Sequence, residues 1–356
     1  MDQLDTLRAA LAELPGLNDV GRAQLHVLPA KGTAHGHVKI ARPSGQRPLV
    51  ARICYAHPGD PDAAARLATQ AEAFRRFAAS GCVPRLHGLI APREGLPGGA
   101  LIVDAIEGRA PSLPEDLPKL AGALAAIHEL PVPTPHAALP LPYLPHPIAA
   151  LLAAIETNAP FFARMAMAPT ARQVVEKHLR WARDFSARHG MEAHPIAPSL
   201  ADTHPGNFLI EGDGRCWFVD MEKAHYGSAC IDLAHCTLYT STRWEIDAVL
   251  NDAQTGDFYR AYFAHRPHAL EAMRPFLDPL RRMTWLRTLA FAARWSVQTA
   301  APRDPSDPGQ WSDSGLEPHL RQRKKAVIAD YFQPATLARV EAEWLGDTPL
   351  NLLKIL

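Results

Sequence analysis

Between residues 201 and 220 the chain gathers the side chains that a metal-assisted group transfer would need. Asp202 and Asn207 stand in ADTHPGN with four residues between them, and the apolar run FLI follows at once. After the turn formers Glu211 to Gly214, RCWFVD runs back to an acid, Asp220. Two apolar runs joined by such a turn predict an antiparallel hairpin, which returns the chain to its starting point. Asp220 should therefore lie beside the Asp202–Asn207 loop. A carboxylate and a carboxamide oxygen suit Mg²⁺, which keeps several waters and shares its remaining positions with phosphates. Asp202 is left to accept a proton from a hydroxyl. A capped turn entering a hairpin would need only THPGN, and it gives no reason for Asp220 or for Asp232 in IDLAH.

The elements around this loop fall into two parts. The first third mixes strands and a helix: QLHVLPAKGTAHGHVKIAR reads as strand, Gly-containing turn and strand, and RPLVARICYA as another strand. Asp62 can cap a helix running to about Ser80, which Gly81 ends. VPRLHGLIA and GALIVDAIEG read as a strand pair around Pro97-Gly98-Gly99. From EDLPKLAGALAAIHEL onward the pattern is mostly helical, with Leu120, Leu124 and Ile127 on one stripe and Val174, His178, Trp181 and Phe185 on another. A Pro-rich connector at Pro131–Pro147 and a polar loop at Ala301–Gly315 interrupt it. The expected fold is α+β: a small antiparallel-sheet lobe over 1–107 and a large helical lobe over 108–356.

Composition narrows the function. The chain has 356 residues, 47% apolar and 21% charged, which suits a soluble protein with a sizeable core. Its formal net charge of zero gives no overall attraction to nucleic acid or to an anionic membrane. Five cysteines form no C-x-x-C pair and read as small buried hydrophobes in a reducing compartment. MDQLDTLRAALAELPG reads as an amphipathic helix, and no run of 18 apolar residues exists, so neither a signal peptide nor a membrane span is expected and the default location is cytoplasmic.

The Asp-x-x-x-x-Asn spacing with a later metal-binding Asp is the arrangement that kinases use for phosphoryl transfer. DTHPGNFLI…WFVDMEKAHYGSACIDLAH resembles the catalytic segment of the aminoglycoside phosphotransferase / choline kinase family, which has the protein-kinase-like fold. The resemblance implies that Asp202 is the catalytic base, that Asn207 and Asp220 hold Mg²⁺, and that Asp232 braces the loop; His204, inside that loop, reads as orienting it. It further implies a phosphate turn at AKGTAHGHVKI with Gly32 and Gly36, and a strand cation at Arg52 paired with Glu72 of the following helix. The interlobe hinge at LIVDAIEGR, with Val103 and Ala105, would hold adenine through backbone groups. Lys31 and Lys39 are rivals of Arg52, and Glu72 reads equally as a solvated helix charge.

Three features depart from the family pattern: Leu200 where a His usually precedes the base, Arg52 in place of Lys, and a turn without G-x-G-x-x-G. Glu222, Tyr226 and Trp244, with Tyr239, Trp285 and Trp295 farther out, are candidates for the acceptor site, since aromatics with a carboxylate suit a cationic amine. Trp285 and Trp295 read more readily as core. The resemblance implies an ATP- and Mg²⁺-dependent phosphotransferase acting on a hydroxyl of a small molecule such as an amino alcohol, sugar or aminoglycoside. Leu200 and Arg52 motivate the alternative, a nucleotide-binding pseudokinase with a regulatory role.

Overall fold

The computed structural model describes residues 3–18, 20–21, 24–29, 35–43, 45–56, 60–134, 141–300, 317–347 and 349–355. Gly32 and Lys31 of the expected phosphate turn, part of the Pro-rich connector and the polar loop at 301–315 lie outside the described residues.

The short alternating runs of the first third become five strands: β1 (Leu25–Val27), β2 (His35–Ile40), β3 (Leu49–Cys54), β4 (Leu86–Ile90) and β5 (Ala100–Asp104). They form one antiparallel sheet in the order β1-β2-β3-β5-β4. Strand alternation sorts the central β3: Leu49, Ala51 and Ile53 join Leu7 and Leu11 of α1 (Gln3–Leu11) in one apolar cluster. Arg52 belongs to the opposite face, where α2 (Ala63–Phe77) buries Leu67, Phe74 and Phe77. The Asp62 side chain makes no capping bond; its N–H instead donates to Asp60 Oδ1 at 3.0 Å. Gly81, at φ +72°, ends the short 3₁₀ turn that continues α2.

The chain crosses to the helical part through β6 (Gly108–Arg109), which pairs with Ile210 and Glu211. A Cβ on Gly108 would stand 2.7 Å from the Ile210 carbonyl oxygen, so the crossing requires glycine. α3 (Leu117–His128) follows and buries Leu120, Leu124 and Ile127 as their spacing predicts. Then come α4 (Pro147–Asn158), α5 (Pro160–Arg164) and α6 (Pro169–His189). The buried face of α6 is Ala171, Val175, His178 and Ala182, turned away from the expected stripe. Trp181 and Phe185 sit on its flank, stacked at 5.3 Å, with the Arg282 guanidinium 3.7 Å from the Trp181 ring centre. Stacking and cation–π contact let those aromatics stay partly exposed.

Four short strands frame the site: β7 (Ala197–Ser199), β8 (Phe208–Glu211), β9 (Cys216–Phe218) and β10 (His225–Gly227). β8 and β9 form the expected hairpin, with Phe208 opposite Phe218, and β7 pairs with β10. The remainder is helical: α7 (Ala229–Thr237), α8 (Tyr239–Glu245), α9 (Asp252–His265), α10 (Leu270–Met273), α11 (Leu277–Ala300), α12 (Pro318–Tyr331), α13 (Pro334–Leu345) and α14 (Leu352–Ile355). The main core joins the α2 side of the sheet (Phe74, Leu101, Val103) to α3, α7 and α11, and it includes Trp285 and Trp295. All five cysteines are free. No helix among the described residues is long and apolar enough to cross a membrane.

One core histidine ties stability to pH. Arg282 Nε donates to His178 Nδ1 at 2.9 Å, so His178 Nε2 carries the proton and donates to Glu341 at 3.0 Å. Burial, with Arg282 alongside, lowers the His178 pKa to about 4. The unfolded chain binds this proton more tightly, near pH 6.5. The contribution of the neutral ring is therefore full above pH 6.5 and is lost as pH falls toward 4, a loss on the order of 2–3 kcal/mol. We expect urea unfolding free energies to fall over that window, and His178→Gln to flatten the slope. An unchanged slope in the variant would exclude this residue as the cause.

Candidate active site

The loop between β7 and β8 is fixed by one buried carboxylate. Asp232, at 0% exposure in the first turn of α7, accepts from the Leu200 N–H (2.8 Å, Oδ2) and the Ala201 N–H (2.7 Å, Oδ1). The Thr203 hydroxyl donates to the Asp232 carbonyl at 2.7 Å. These bonds hold Ala201 at φ +57°, a left-handed conformation that costs a non-glycine residue on the order of 1 kcal/mol or more. Arg287 of α11 donates to the Ala201 carbonyl at 2.8 Å, so both backbone groups of the strained residue are tied down. His128, at the end of α3, lies 3.0 Å from Asp232 Oδ2 and 2.9 Å from the Tyr262 hydroxyl. The imidazole missing at Leu200 is thus supplied to the loop's anchor from another helix, while the Leu200 side chain is buried as packing.

Asp202 follows Ala201 immediately. Its Oδ2 accepts from Lys223 Nζ at 2.6 Å, and His235 Nδ1 lies 3.9 Å from its Oδ1. Burial alone would raise the Asp202 pKa; the Lys223 ammonium, with His204 and His235 behind it, more than reverses this and holds the carboxyl well below its ordinary range. Asn207 Nδ2 donates to the Asp202 carbonyl at 2.8 Å, which leaves Asn207 Oδ1 as an oxygen donor.

The hairpin brings Asp220 back as expected. The Val219 N–H donates to the Asn207 carbonyl at 3.0 Å, so Asp220 is the next residue beyond that contact. Its Oδ1 accepts from Arg52 at 2.9 Å, and the same guanidinium donates to the Val219 carbonyl at 2.7 Å. Asp220 Oδ2 makes no hydrogen bond among the described residues. With Asn207 Oδ1 it offers the hard oxygen pair that a divalent cation takes, so the donor set fits Mg²⁺. His35 of β2 also joins this edge: its Nδ1 lies 3.9 Å from Glu222, and its Nε2 lies 3.2 Å from Gln70. Burial and Arg52 lower the His35 pKa to about 4, so its ring is neutral. A cavity of about 610 Å³ opens here, lined by His35, Cys54, Tyr55, Gln70, Glu222 and Lys223, among others.

Several expected residues sit elsewhere. Glu72 does not reach Arg52; it pairs with Arg75 (3.3 Å) and Arg76 (2.5 Å) on its own helix. Those arginines stand at i+3 and i+4, where a helix places neighbours. Gly36 lies within β2, opposite Ile53, rather than in the turn. Tyr226 is 1% exposed; β10 pairing and an edge contact with Phe77 (6.2 Å) make it core, not acceptor surface. Val103 spends its backbone in the sheet, and the Ala105 N–H donates to the Pro48 carbonyl at 2.9 Å. The Ala105 carbonyl and the Ile106 N–H are among the hinge groups without a hydrogen bond among the described residues. Buried His204 has no partner at Nδ1 among the described residues, and Thr203 does the bracing expected of it. Trp244 lies on α8, with Lys324 Nζ 4.5 Å from its ring centre.

A small antiparallel sheet set against a mostly helical part is the protein-kinase-like architecture. Solved structures share it at low identity, which establishes the fold. A choline/ethanolamine kinase family protein from Mesorhizobium loti aligns over 99% of each chain, with a TM-score of 0.57 and 19% identity. A spectinomycin phosphotransferase solved with ADP and spectinomycin aligns with a TM-score of 0.60 and 12% identity over 94% of this chain and 96% of that one. An amicoumacin kinase solved with AMP-PNP and Ca²⁺ gives 0.57 and 14% over 95% and 96%. No curated protein matches the chain. Residues 32–276 match the phosphotransferase enzyme family, and the chain belongs to it.

Asp232→Asn tests the anchor. An amide would oppose one of the two N–H groups and leave a buried donor unpaired, at about 1–3 kcal/mol. We expect the unfolding free energy to drop by that amount; an unchanged value would show that the loop is held by other contacts.

Proposed function

We propose that this protein is an ATP- and Mg²⁺-dependent kinase that transfers the γ-phosphoryl group to a hydroxyl of a small molecule. The observation that carries this reading is the convergence of Asp202, Asn207 and Asp220 on one loop and hairpin anchored by Asp232. Parts 1–107 and 108–356 serve as the two lobes around the nucleotide, with adenine at the hinge groups of Ala105 and Ile106. Five free thiols and zero net charge suit a reaction on a diffusing metabolite in the reducing cytoplasm.

Asn207 and Asp220 would hold Mg²⁺, which when bound neutralises charge on the phosphates. Arg52 adds a permanent cation beside Asp220, where phosphate oxygens lie. Asp202 orients the acceptor hydroxyl and takes its proton as the oxygen bonds to the γ-phosphorus; the bond from that phosphorus to the ADP oxygen breaks, and ADP leaves with the electron pair. A carboxylate of lowered pKa is a weak base, so positioning dominates and the proton moves late. Lys223 occupies Asp202 Oδ2, so an acceptor hydroxyl either binds Oδ1 or shares Oδ2 with the ammonium.

Those two ion pairs, Arg52–Asp220 and Lys223–Asp202, also favour a second reading, a nucleotide-binding pseudokinase whose carboxylates are permanently occupied. Thermal shift with ATP, with and without Mg²⁺, followed by turnover with hydroxyl acceptors, separates the two. The kinase reading expects Mg²⁺-dependent binding and turnover. Metal-independent binding without turnover supports the pseudokinase.

Two variants test the roles. Asp220→Ala should abolish the Mg²⁺-dependent part of nucleotide binding; a full Mg²⁺ effect in the variant would remove Asp220 from the metal site. Asp202→Asn should spare nucleotide binding and cut turnover by about 10²–10⁴-fold. Normal turnover would falsify the base assignment.

A further inference from the structure

The charges facing Asp202 from the helical part are mostly positive. Lys223 reaches it directly, 2.6 Å from Oδ2. Arg287 enters from α11 and hydrogen-bonds the carbonyl of the residue beside it. Lys324 of α12, only 11% exposed, lies over Trp244. Besides Asp202 itself, Glu222 lies 3.7 Å from Lys223 and Glu245 3.9 Å from Lys324, while Asp232 acts on Arg287 from beneath the loop. Arg287 has no carboxylate at hydrogen-bond distance among the described residues and donates instead to the Ala201 carbonyl. A partly buried guanidinium without an anion is unfavourable unless something supplies one. Burial lowers the Arg287 pKa, and Asp202 and Asp232 nearby offset this in part. Beside it the His235 ring, 6% exposed, keeps Nδ1 unpartnered among the described residues and 3.9 Å from Asp202 Oδ1.

We infer, on the kinase reading above, that the acceptor is an alcohol that also carries an anionic group, a carboxylate or a phosphate ester, bound by Arg287 and Lys223. The anion gives Arg287 its missing partner and draws the Lys223 ammonium from Asp202, which frees Oδ2 for the hydroxyl. A cationic amine would meet two like charges at the same place. The chemistry of transfer is unchanged: the acceptor oxygen bonds to the γ-phosphorus, its proton passes to Asp202, and ADP departs.

Two matched acceptor series test this, with Mg²⁺ and ATP and the full chain: glycerol, glycerate, glycerol 3-phosphate and 3-aminopropane-1,2-diol; and glucose, gluconate, glucose 6-phosphate and glucosamine. Coupled ADP release should give kcat/KM at least about tenfold higher for an anionic member than for its neutral and amino counterparts, the worth of one charge-assisted contact. Whether the carboxylates or the phosphates respond tells the two anions apart. Arg287→Gln should raise KM for the preferred anionic acceptor about tenfold relative to the neutral acceptors and to ATP, with any fall in kcat shared by all acceptors, and Arg287→Lys should recover part of the loss. A purely structural role for Arg287 at the Ala201 carbonyl would instead lower kcat on every acceptor alike. Equal response across each series, including none, or preference for the amino members, overturns the inference. Thermal shift with ATP and Mg²⁺ on the same sample keeps the two readings apart: absence of that shift removes the kinase reading itself, whereas a normal shift with amine preference removes only the anionic acceptor.

Discussion

The Asp232 carboxylate is the contact on which the site depends. Its two oxygens satisfy consecutive backbone N–H groups, at Leu200 and Ala201, and force the latter into a left-handed turn. That turn aims Asp202 away from the core while Thr203, one residue on, is pulled back into it. A carboxylate accepting two buried N–H groups and an imidazole contact is worth far more intact than broken, because each abandoned donor costs about 1–3 kcal/mol. The anchor comes from α7 and its imidazole from α3, so the loop is registered on packed helices and not on its own flexibility.

The second constraint is electrical. Two of the site's carboxylates are each met by one cation: Asp220 by Arg52 and Asp202 by Lys223. Partly buried acids would otherwise take up protons or repel one another, as the raised pKa of Glu222 shows, where burial and Asp220 act together. The pairs keep both acids ionised. They also set the order of events, since anything that needs either carboxylate must displace or share its cation. Arg52 comes from the sheet and Asp220 from the hairpin, so the same pair joins the two parts of the fold across the cleft.

Much of this was legible in the sequence, for a local reason. The Asp202–Asn207 spacing, the turn at Glu211–Gly214 and the return to Asp220 are short-range features governed by turn chemistry and strand alternation. The five strands, the hairpin and the stripe of α3 followed the same logic. Misreadings arose where a choice of partner was made over distance. Arg52 meets Asp220, 168 positions away, and no local pattern announces it. Of the two readings open for Glu72, the helix-surface charge holds, because Arg75 and Arg76 stand at helical spacing to claim it. Tyr226 looked like acceptor surface because a β10–β7 pair of three residues leaves almost no sequence signal. His128 does carry a signal, a polar residue ending the apolar run of α3 that needs a buried partner, whereas Arg287 is one of several arginines on α11 and is not singled out locally. Lys223 had none, since its direction depends on how the chain leaves β9.

The proposed kinase requires one divalent ion between Asn207 and Asp220, with Asp202 close by but not coordinating. Anomalous diffraction from crystals grown with Mn²⁺ and a non-hydrolysable ATP analogue measures this directly. The account predicts a metal peak in direct contact with Asn207 Oδ1 and an Asp220 carboxylate oxygen, with Asp202 outside the coordination sphere. A peak elsewhere, or none beside Asp220 while Arg52 keeps that carboxylate to itself, would contradict it.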